Sequence, residues 1–177
     1  MDIAIRQERQ EDYLNTEHVV KRAFEQAEYS DQKEHFLVQR LRKSEAFIPE
    51  LSLVAVDENK EIVGHILLTR IKIVDQNEEN ASLALAPVSV ATAYQRKGVG
   101  STLIREAIQK ASELGYTSII VLGHKDYYPK FGFKRADLWD ISAPFPVASD
   151  SFMALELEEG ALQHVKGMVV YPKEFME

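Results

Sequence analysis

Apolar positions along the chain switch between two periods, and the switches mark its elements. Residues 2–6 (DIAIR) alternate and predict a first strand. Asp12 stands where a helix would be capped, and Leu14, Val20, Ala23, Phe24 and Ala27 follow on one side of that helix. The stretch Glu28-Tyr29-Ser30 breaks it. Asp31 and Glu34 have the spacing of a capping box, which predicts a second helix using Phe36, Leu37 and Leu41. Residues 51–56 (LSLVAV) and 62–74 (IVGHILLTRIKIV) flank a polar turn at 57–60 and predict a hairpin. A second polar break, 75–80, leads into the apolar run 83–90 (LALAPVSV). Pro87 lies inside that run. Proline cannot donate to a ladder, so a bulge or a local splitting of the sheet is expected there.

Val99, Leu103, Ile104, Ala107, Ile108, Ala111 and Leu114 then recur at three- and four-residue spacing, the apolar face of one long helix. Gly115 stops it, as a residue that tolerates positive φ just past the last turn. Residues 118–122 (SIIVL) predict a buried strand, and 134–148 are irregular, with Pro144 and Pro146. Residues 151–158 predict a strand with Met153, Leu155 and Leu157 on one face and Ala154, Glu156 and Glu158 on the other. The segment 160–177 is expected to be a tail carrying a short strand at 168–171. No linker interrupts the pattern, so the whole chain, 1–177, is expected to form a single α/β domain.

The stretch with the most chemistry lies between the run 83–90 and the long helix: Gln95-Arg96-Lys97-Gly98-Val99-Gly100-Ser101. Backbone N–H groups at a helix start lack intrahelical partners and carry partial positive charge. Glycines let a ligand approach them, and Arg96 and Lys97 add full charge. That combination suits a phosphate ligand. A nucleotide P-loop needs a longer gap before Gly-Lys-Ser/Thr, and this loop lacks it. A dinucleotide fingerprint needs a third glycine, where Leu103 stands. The third reading is coenzyme A. Gln95-Arg96-Lys97-Gly98-Val99-Gly100 closely resembles the Q/R-x-x-G-x-G/A signature of the GNAT superfamily of acetyl-CoA-dependent N-acetyltransferases. Past the strand at 118–122, Tyr127-Tyr128-Pro129-Lys130-Phe131-Gly132-Phe133 resembles that superfamily's aromatic-Tyr-x-x-x-Gly-Phe element, in matching order and spacing. The C-terminal stretch, Phe152 to Leu157 and Gly160 to Leu162 ending in Tyr171-Pro172, is similar to a bacterial branch of the superfamily.

The resemblance implies a mixed, mostly antiparallel sheet flanked by helices. It implies acetyl-CoA as cofactor and transfer of the acetyl group to a primary amine by direct attack in a ternary complex. Gln95, Arg96, Lys97, Gly98, Val99, Gly100 and Ser101 would hold the phosphates, and Val88, Ser89 and Val90 the pantetheine arm. Tyr128 would protonate the leaving thiolate, while Tyr127 fits a position that usually packs. His124, beyond a strand end, and Glu28, in the interhelical loop, are candidate substrate residues. Two rivals stand beside this reading: a non-catalytic acyl-CoA-binding or regulatory module, and transfer to a protein lysine or N-terminus.

Composition narrows the partners. Hydrophobic residues make up 45% of the chain and charged residues 28%, ordinary values for a globular domain. The net charge of −7, with short basic clusters only at 40–43 and 96–97, argues against nucleic acid. With no cysteine there is no thiolate nucleophile, disulfide or cysteine metal site, and no metal is expected. No apolar run approaches a membrane span, so no membrane partner is expected and the cytoplasm is the default location. The acceptor is then a small-molecule or polypeptide amine, and a homodimer is left open. Glu25, Glu28 and Asp31, with Asp137, Asp140, Asp150, Glu156, Glu158 and Glu159, would form an acidic mouth attracting a cationic amine.

Overall fold

In the computed structural model, which describes residues 2–176 apart from Gln26, Glu28 and Tyr29, strands and helices follow the predicted order with several shifted bounds. They are β1 (Ala4–Gln7), α1 (Tyr13–Phe24), α2 (Glu34–Arg42), β2 (Ser52–Val56), β3 (Ile62–Asp75), β4 (Glu78–Val90), α3 (Val99–Glu113), β5 (Ser118–Leu122), β6 (Lys134–Arg135), β7 (Ile141–Ser142), β8 (Phe152–Glu156) and β9 (Gly167–Val170). The strands form one sheet in the order β1-β2-β3-β4-β5-β8-β6, with β9 on β3 and β7 on β9. All pairings are antiparallel except β4 with β5 and β7 with β9. This is the mixed, mostly antiparallel α/β architecture expected from the sequence.

The long central strand β3 explains how a nine-stranded sheet is assembled. One edge of β3 pairs with β4 from Gly64 to Asp75. The other is shared: β2 pairs with its first half, and β9 with Lys72, Ile73 and Val74. The C-terminal segment is thus a working part of the sheet. Gly167 permits that docking, because a Cβ there would lie 2.1 Å from the Val74 carbonyl oxygen.

The helices divide between the faces. The apolar stripe of α3, Val99, Leu103, Ile104, Ala107 and Ala111, packs on one face against Leu83, Leu85, Ile119 and Val121. On the other face, Val20 of α1 and Val38 and Leu41 of α2 pack on Leu67, and the C-terminal segments pack on Ala84, Ile120, Phe152 and Ala154. Both faces of β8 are therefore covered. Met153 and Leu155 enter the α3-side core, as their shared face predicts, whereas Phe152 and Ala154 enter the opposite one.

Local details depart from the sequence expectations where tertiary contacts override them. Asp12 does not cap α1. Its carboxylate accepts the Arg9 N–H at 2.8 Å and pairs with Arg6 at 2.7 Å, which holds it below its usual pKa. Leu14 and Phe36 are exposed, and Thr16, Val20, Val38 and Leu41 are the buried positions of α1 and α2. The Asp31–Glu34 capping box does not form: Glu34 accepts from the Ser30 hydroxyl, and Asp31 accepts the Lys33 N–H. The break expected over 75–80 shrinks to Gln76 and Asn77, because the β3–β4 ladder runs to Asp75 opposite Glu78.

A buried polar clasp joins β1, both N-terminal helices and β3. Arg42 pairs with Glu8 at 2.6 Å and Glu17 at 2.7 Å, and lies 4.0 Å over the Tyr13 ring. Ser52 donates to Glu8 at 2.7 Å and sits 3.0 Å from His65 Nε2. Burial drives the His65 imidazole down to about 4, against the pull of Glu8. The ring is neutral at neutral pH, and its Nε2–H donates to Ser52. Burial works to raise the Glu8 carboxyl, yet its partners keep it below the ordinary carboxylate value. With His65 neutral, Arg42 and the Ser52 hydroxyl are among the groups that hold the Glu8 anion.

Between about pH 6.5, the unfolded value, and about 4, the unfolded chain binds a proton that the folded His65 refuses. This stabilisation is complete above the unfolded pKa and is lost as pH falls through that window. Urea unfolding should show roughly 2 kcal/mol less stability at pH 5 than at pH 7. His65→Gln should flatten that decline, whereas an equally steep curve in the variant would assign it to other groups.

Candidate active site

The site is built where β4 parts from β5. Ile66 of β3 faces Val88 and Leu68 faces Leu85, so Ala86 and Pro87 stand opposite the single residue Leu67. That is a bulge with one extra residue on β4. The pairing of β4 with β5 is confined to Leu83–Ile119 and Ala84–Ile120. Beyond it the two strands separate.

The bulge also sets which groups face the gap. The Ala91 N–H donates to the Val63 carbonyl at 2.8 Å, which makes Val63 and Ala91 a hydrogen-bonded pair. In an antiparallel ladder such pairs alternate. Val88 and Val90 therefore turn their N–H and C=O groups away from β3, toward the gap. Ser89 spends its backbone on β3 opposite His65, and its buried hydroxyl has no protein partner. The side chains of Val88 and Val90 join the α3-side core. The Gln95 side chain donates to the Val90 carbonyl at 3.0 Å, so Gln95 holds the strand end to the loop that follows.

That loop delivers the start of α3. Gly98 is its N-cap at φ 85°, and no side chain caps the first turn. The space beside the Gly98 Cα is open: an added Cβ would meet nothing within 4 Å. The glycine is required by backbone conformation and leaves a clear approach to the free N–H groups of Val99, Gly100 and Ser101. Arg96 is also at positive φ, 63°, and Lys97 lies 6.0 Å from the Tyr94 ring centroid. Val99 is a core residue. Gly100 faces the split: a Cβ there would be in ordinary contact, 3.5 Å from Val90 Cγ2 and 3.6 Å from the Tyr127 hydroxyl.

On the far side of the gap, β5 ends at Leu122, and the Tyr127 and Tyr128 N–H groups both donate to the His124 carbonyl. Tyr128 is buried against Tyr127 and Phe133, with ring centroids at 5.1 Å and 5.7 Å in edge-to-face contact. Gly123 makes room for it. A Cβ at Gly123 would fall 2.2 Å from Tyr128 Cε2. Burial, followed by the neighbouring Tyr127, pushes the Tyr128 hydroxyl up to about 12, so it stays protonated at neutral pH. Tyr127 does more than pack: its hydroxyl lies 3.1 Å from Ser101 Oγ, which ties the tyrosine pair to the first turn of α3.

Four strand-end and loop segments thus bring Val88, Val90, Gln95–Ser101 and Tyr128 around one opening in the sheet. His124 contributes through its turn. Its side chain is exposed and its Nδ1 accepts the Asp126 N–H at 3.1 Å. Glu28 lies outside the described residues. Gly123 and the Tyr127 hydroxyl escape sequence reasoning, although a glycine directly after a buried strand is a signal of close approach. Among the described residues, no group of three His, Cys, Asp or Glu side chains is placed to hold a metal ion, and no helix is long and apolar enough to cross a membrane.

Comparison with known proteins agrees with this geometry. The family model described as Acetyltransferase (GNAT) family matches residues 5–133. The chain belongs to the GNAT family of acetyltransferases. It is 29% identical to the N-acetyltransferase YhbS of Escherichia coli K12 over 125 residues, 71% of this chain and 74% of that protein. It is 40% identical to the N-acetyltransferase YjhQ of the same organism over 119 residues, 67% of this chain and 65% of that protein. The crystal structure of E. coli YhbS in complex with CoA superposes with a TM-score of 0.89 at 27% identity, covering 99% of this chain and 92% of that one. A GNAT acetyltransferase from Brucella melitensis in complex with acetyl-CoA superposes with a TM-score of 0.80 at 32% identity, covering 98% of each chain.

The contact between Gly123 and Tyr128 is open to a direct check. Gly123→Ala should cost about 1–3 kcal/mol in unfolding experiments, because the ring must leave its place. The same change in a Tyr128→Ala background should cost far less. Equal costs in the two backgrounds would show that the ring is not the obstacle.

Proposed function

We propose that this GNAT enzyme transfers the acetyl group of acetyl-CoA to a primary amine by direct attack in a ternary complex. The observation that carries the reading is Tyr128: a protonated phenol at the mouth of the split, with no hydrogen bond to any described residue, across from an uncapped helix start. The residues present fit coenzyme A. The open N–H groups of Val99, Gly100 and Ser101, with Arg96 and Lys97 nearby, suit a pyrophosphate. The backbone edge at Val88 and Val90, where β4 has left β5, suits the amides of a pantetheine arm.

Bound acetyl-CoA supplies the acetyl group and a thiolate leaving group. The chain's own residues do the rest. Val88 and Val90 orient the arm in the split, and the Val90 N–H is placed to polarise a carbonyl lying there. Tyr128 holds a proton at Oη for the leaving sulfur. No cysteine exists to carry an acyl group, which favours direct transfer.

Tyr128→Phe tests the assignment cleanly. It deletes a hydroxyl that makes no hydrogen bond to a described residue and keeps the ring that fills the space beside Gly123. Steady-state kinetics should show kcat lowered about 10²-fold or more, with acetyl-CoA affinity near wild type. An unchanged kcat would mean that water or another group protonates the sulfur.

Gly98→Val tests the loop. It places a β-branched residue at φ 85° and fills the open approach to α3. Calorimetry on the folded variant should show CoA binding weakened tenfold or more, roughly 1.4 kcal/mol. Unaltered affinity would remove the phosphates from this loop.

A further inference from the structure

We infer that the acceptor is a compact primary amine with an apolar body, seated in a cleft on the sheet face opposite α3. The inference rests on the acetyl-transfer reading and adds the substrate class. The cleft encloses about 260 Å³ and opens where β4 leaves β5, against Leu85 and Ala86 on one side and Ile120 and Leu122 on the other. It therefore meets the split from the side away from the α3 loop. Donor and acceptor would reach one opening from opposite faces.

The chemistry of the walls decides the class. Leu37 of α2, Ala84, Phe145, Tyr171, Phe175 and Met176 complete the lining, and no charged side chain takes part among the described residues. Phe145 stacks on Tyr171 with centroids 6.0 Å apart, and Tyr171 meets Phe175 at 5.1 Å. Among the described residues, the Tyr171 hydroxyl is the only polar side-chain group in the lining, and burial keeps it protonated. A cleft of this size and polarity selects a small apolar or aromatic body. A polyamine would leave its charges unpaired there, at a cost in desolvation.

None of the described acids expected to draw a cationic acceptor lines this cleft, and four of the nine have partners elsewhere. Asp137 pairs with Arg135, Asp150 with Lys125, and Glu156 accepts the Leu162 N–H. Asp31 accepts the Lys33 N–H.

An apolar cleft also assists the attack. Removing an ammonium from water disfavours its charged form, so the amine sheds a proton to solvent as it enters. The nitrogen lone pair then forms the N–C bond as the C–S bond breaks. The sulfur takes the Tyr128 proton, the nitrogen loses its second proton to water, and solvent restores the phenol. No carboxylate at the nitrogen is required.

The test is CoA release with phenethylamine and hexylamine against spermidine and a lysine peptide, at low and high salt. The apolar amines should show kcat/KM higher by roughly tenfold or more, and salt should leave the ranking unchanged. Phe145→Ala should raise the phenethylamine KM about tenfold. Leu122→Glu, at a half-exposed position, should turn the preference toward spermidine. Stabilisation by CoA verifies that each variant is folded. Better turnover of spermidine or the peptide by the wild type would overturn the inference and leave acetyl transfer standing. An apolar preference untouched by both substitutions would overturn the assignment to this cleft. No release with any amine, from a protein that CoA stabilises, would overturn the transfer reading and the inference with it.

Discussion

One extra residue in β4 is the constraint on which the site depends. Ala86 and Pro87 together oppose Leu67, and the strand past them can no longer stay in register with β5. A sheet normally hides its backbone groups in ladders, because an unpaired buried N–H or C=O is costly. Here the ladder stops inside the sheet, and the groups of Val88 and Val90 are left facing a gap. The bulge also changes parity. Leu83 and Leu85 face α3 before it, and Val88 and Val90 face α3 after it, whereas strict alternation would have put Ser89 there. Side-chain packing and an open backbone edge are thereby satisfied by the same strand.

The parts around the opening are braced against one another. Gln95 ties the Val90 carbonyl to the loop before α3, and the Tyr127 hydroxyl ties the tyrosine turn to Ser101 on the first turn of α3. Gly123 lets the Tyr128 ring lie against the end of β5. The phenol is thus placed by contacts from β5, α3 and its own turn. Its hydroxyl makes no hydrogen bond to any described residue.

The opposite face is organised by charge as well as by apolar packing. Arg42 is buried between Glu8 and Glu17, and so joins α2 to the end of β1 and to α1. Burying three ionised groups is costly unless they are paired, and removing one partner of such a set typically costs about 3–5 kcal/mol. The clasp fixes α2 on the sheet, and α2 supplies Leu37 to the cleft. The C-terminal segment supplies the other wall because β9 is hydrogen-bonded to β3. Two distant parts of the chain therefore define one concavity.

The sequence by itself determined the element order, the long amphipathic helix, the glycine loop before it and the spacing that singles out Tyr128. These follow from local chemistry: periodicity, the conformational freedom of Gly98, and the inability of Pro87 to join a ladder. The signal at Pro87 was enough to expect a bulge or split, though not which residues it would turn toward the gap. Tertiary structure alone decided the rest. Asp12 and Asp31 have the composition of caps, but other donors engaged them. The acids of the C-terminal half look like one charged face in sequence, yet Arg135 and Lys125 neutralise two of them from outside that stretch. The strand at 152–156 is buried on both faces because layers from elsewhere in the chain cover it. Register, partner choice and the covering of a face depend on residues far apart in the chain, and no local pattern encodes which distant segment will arrive.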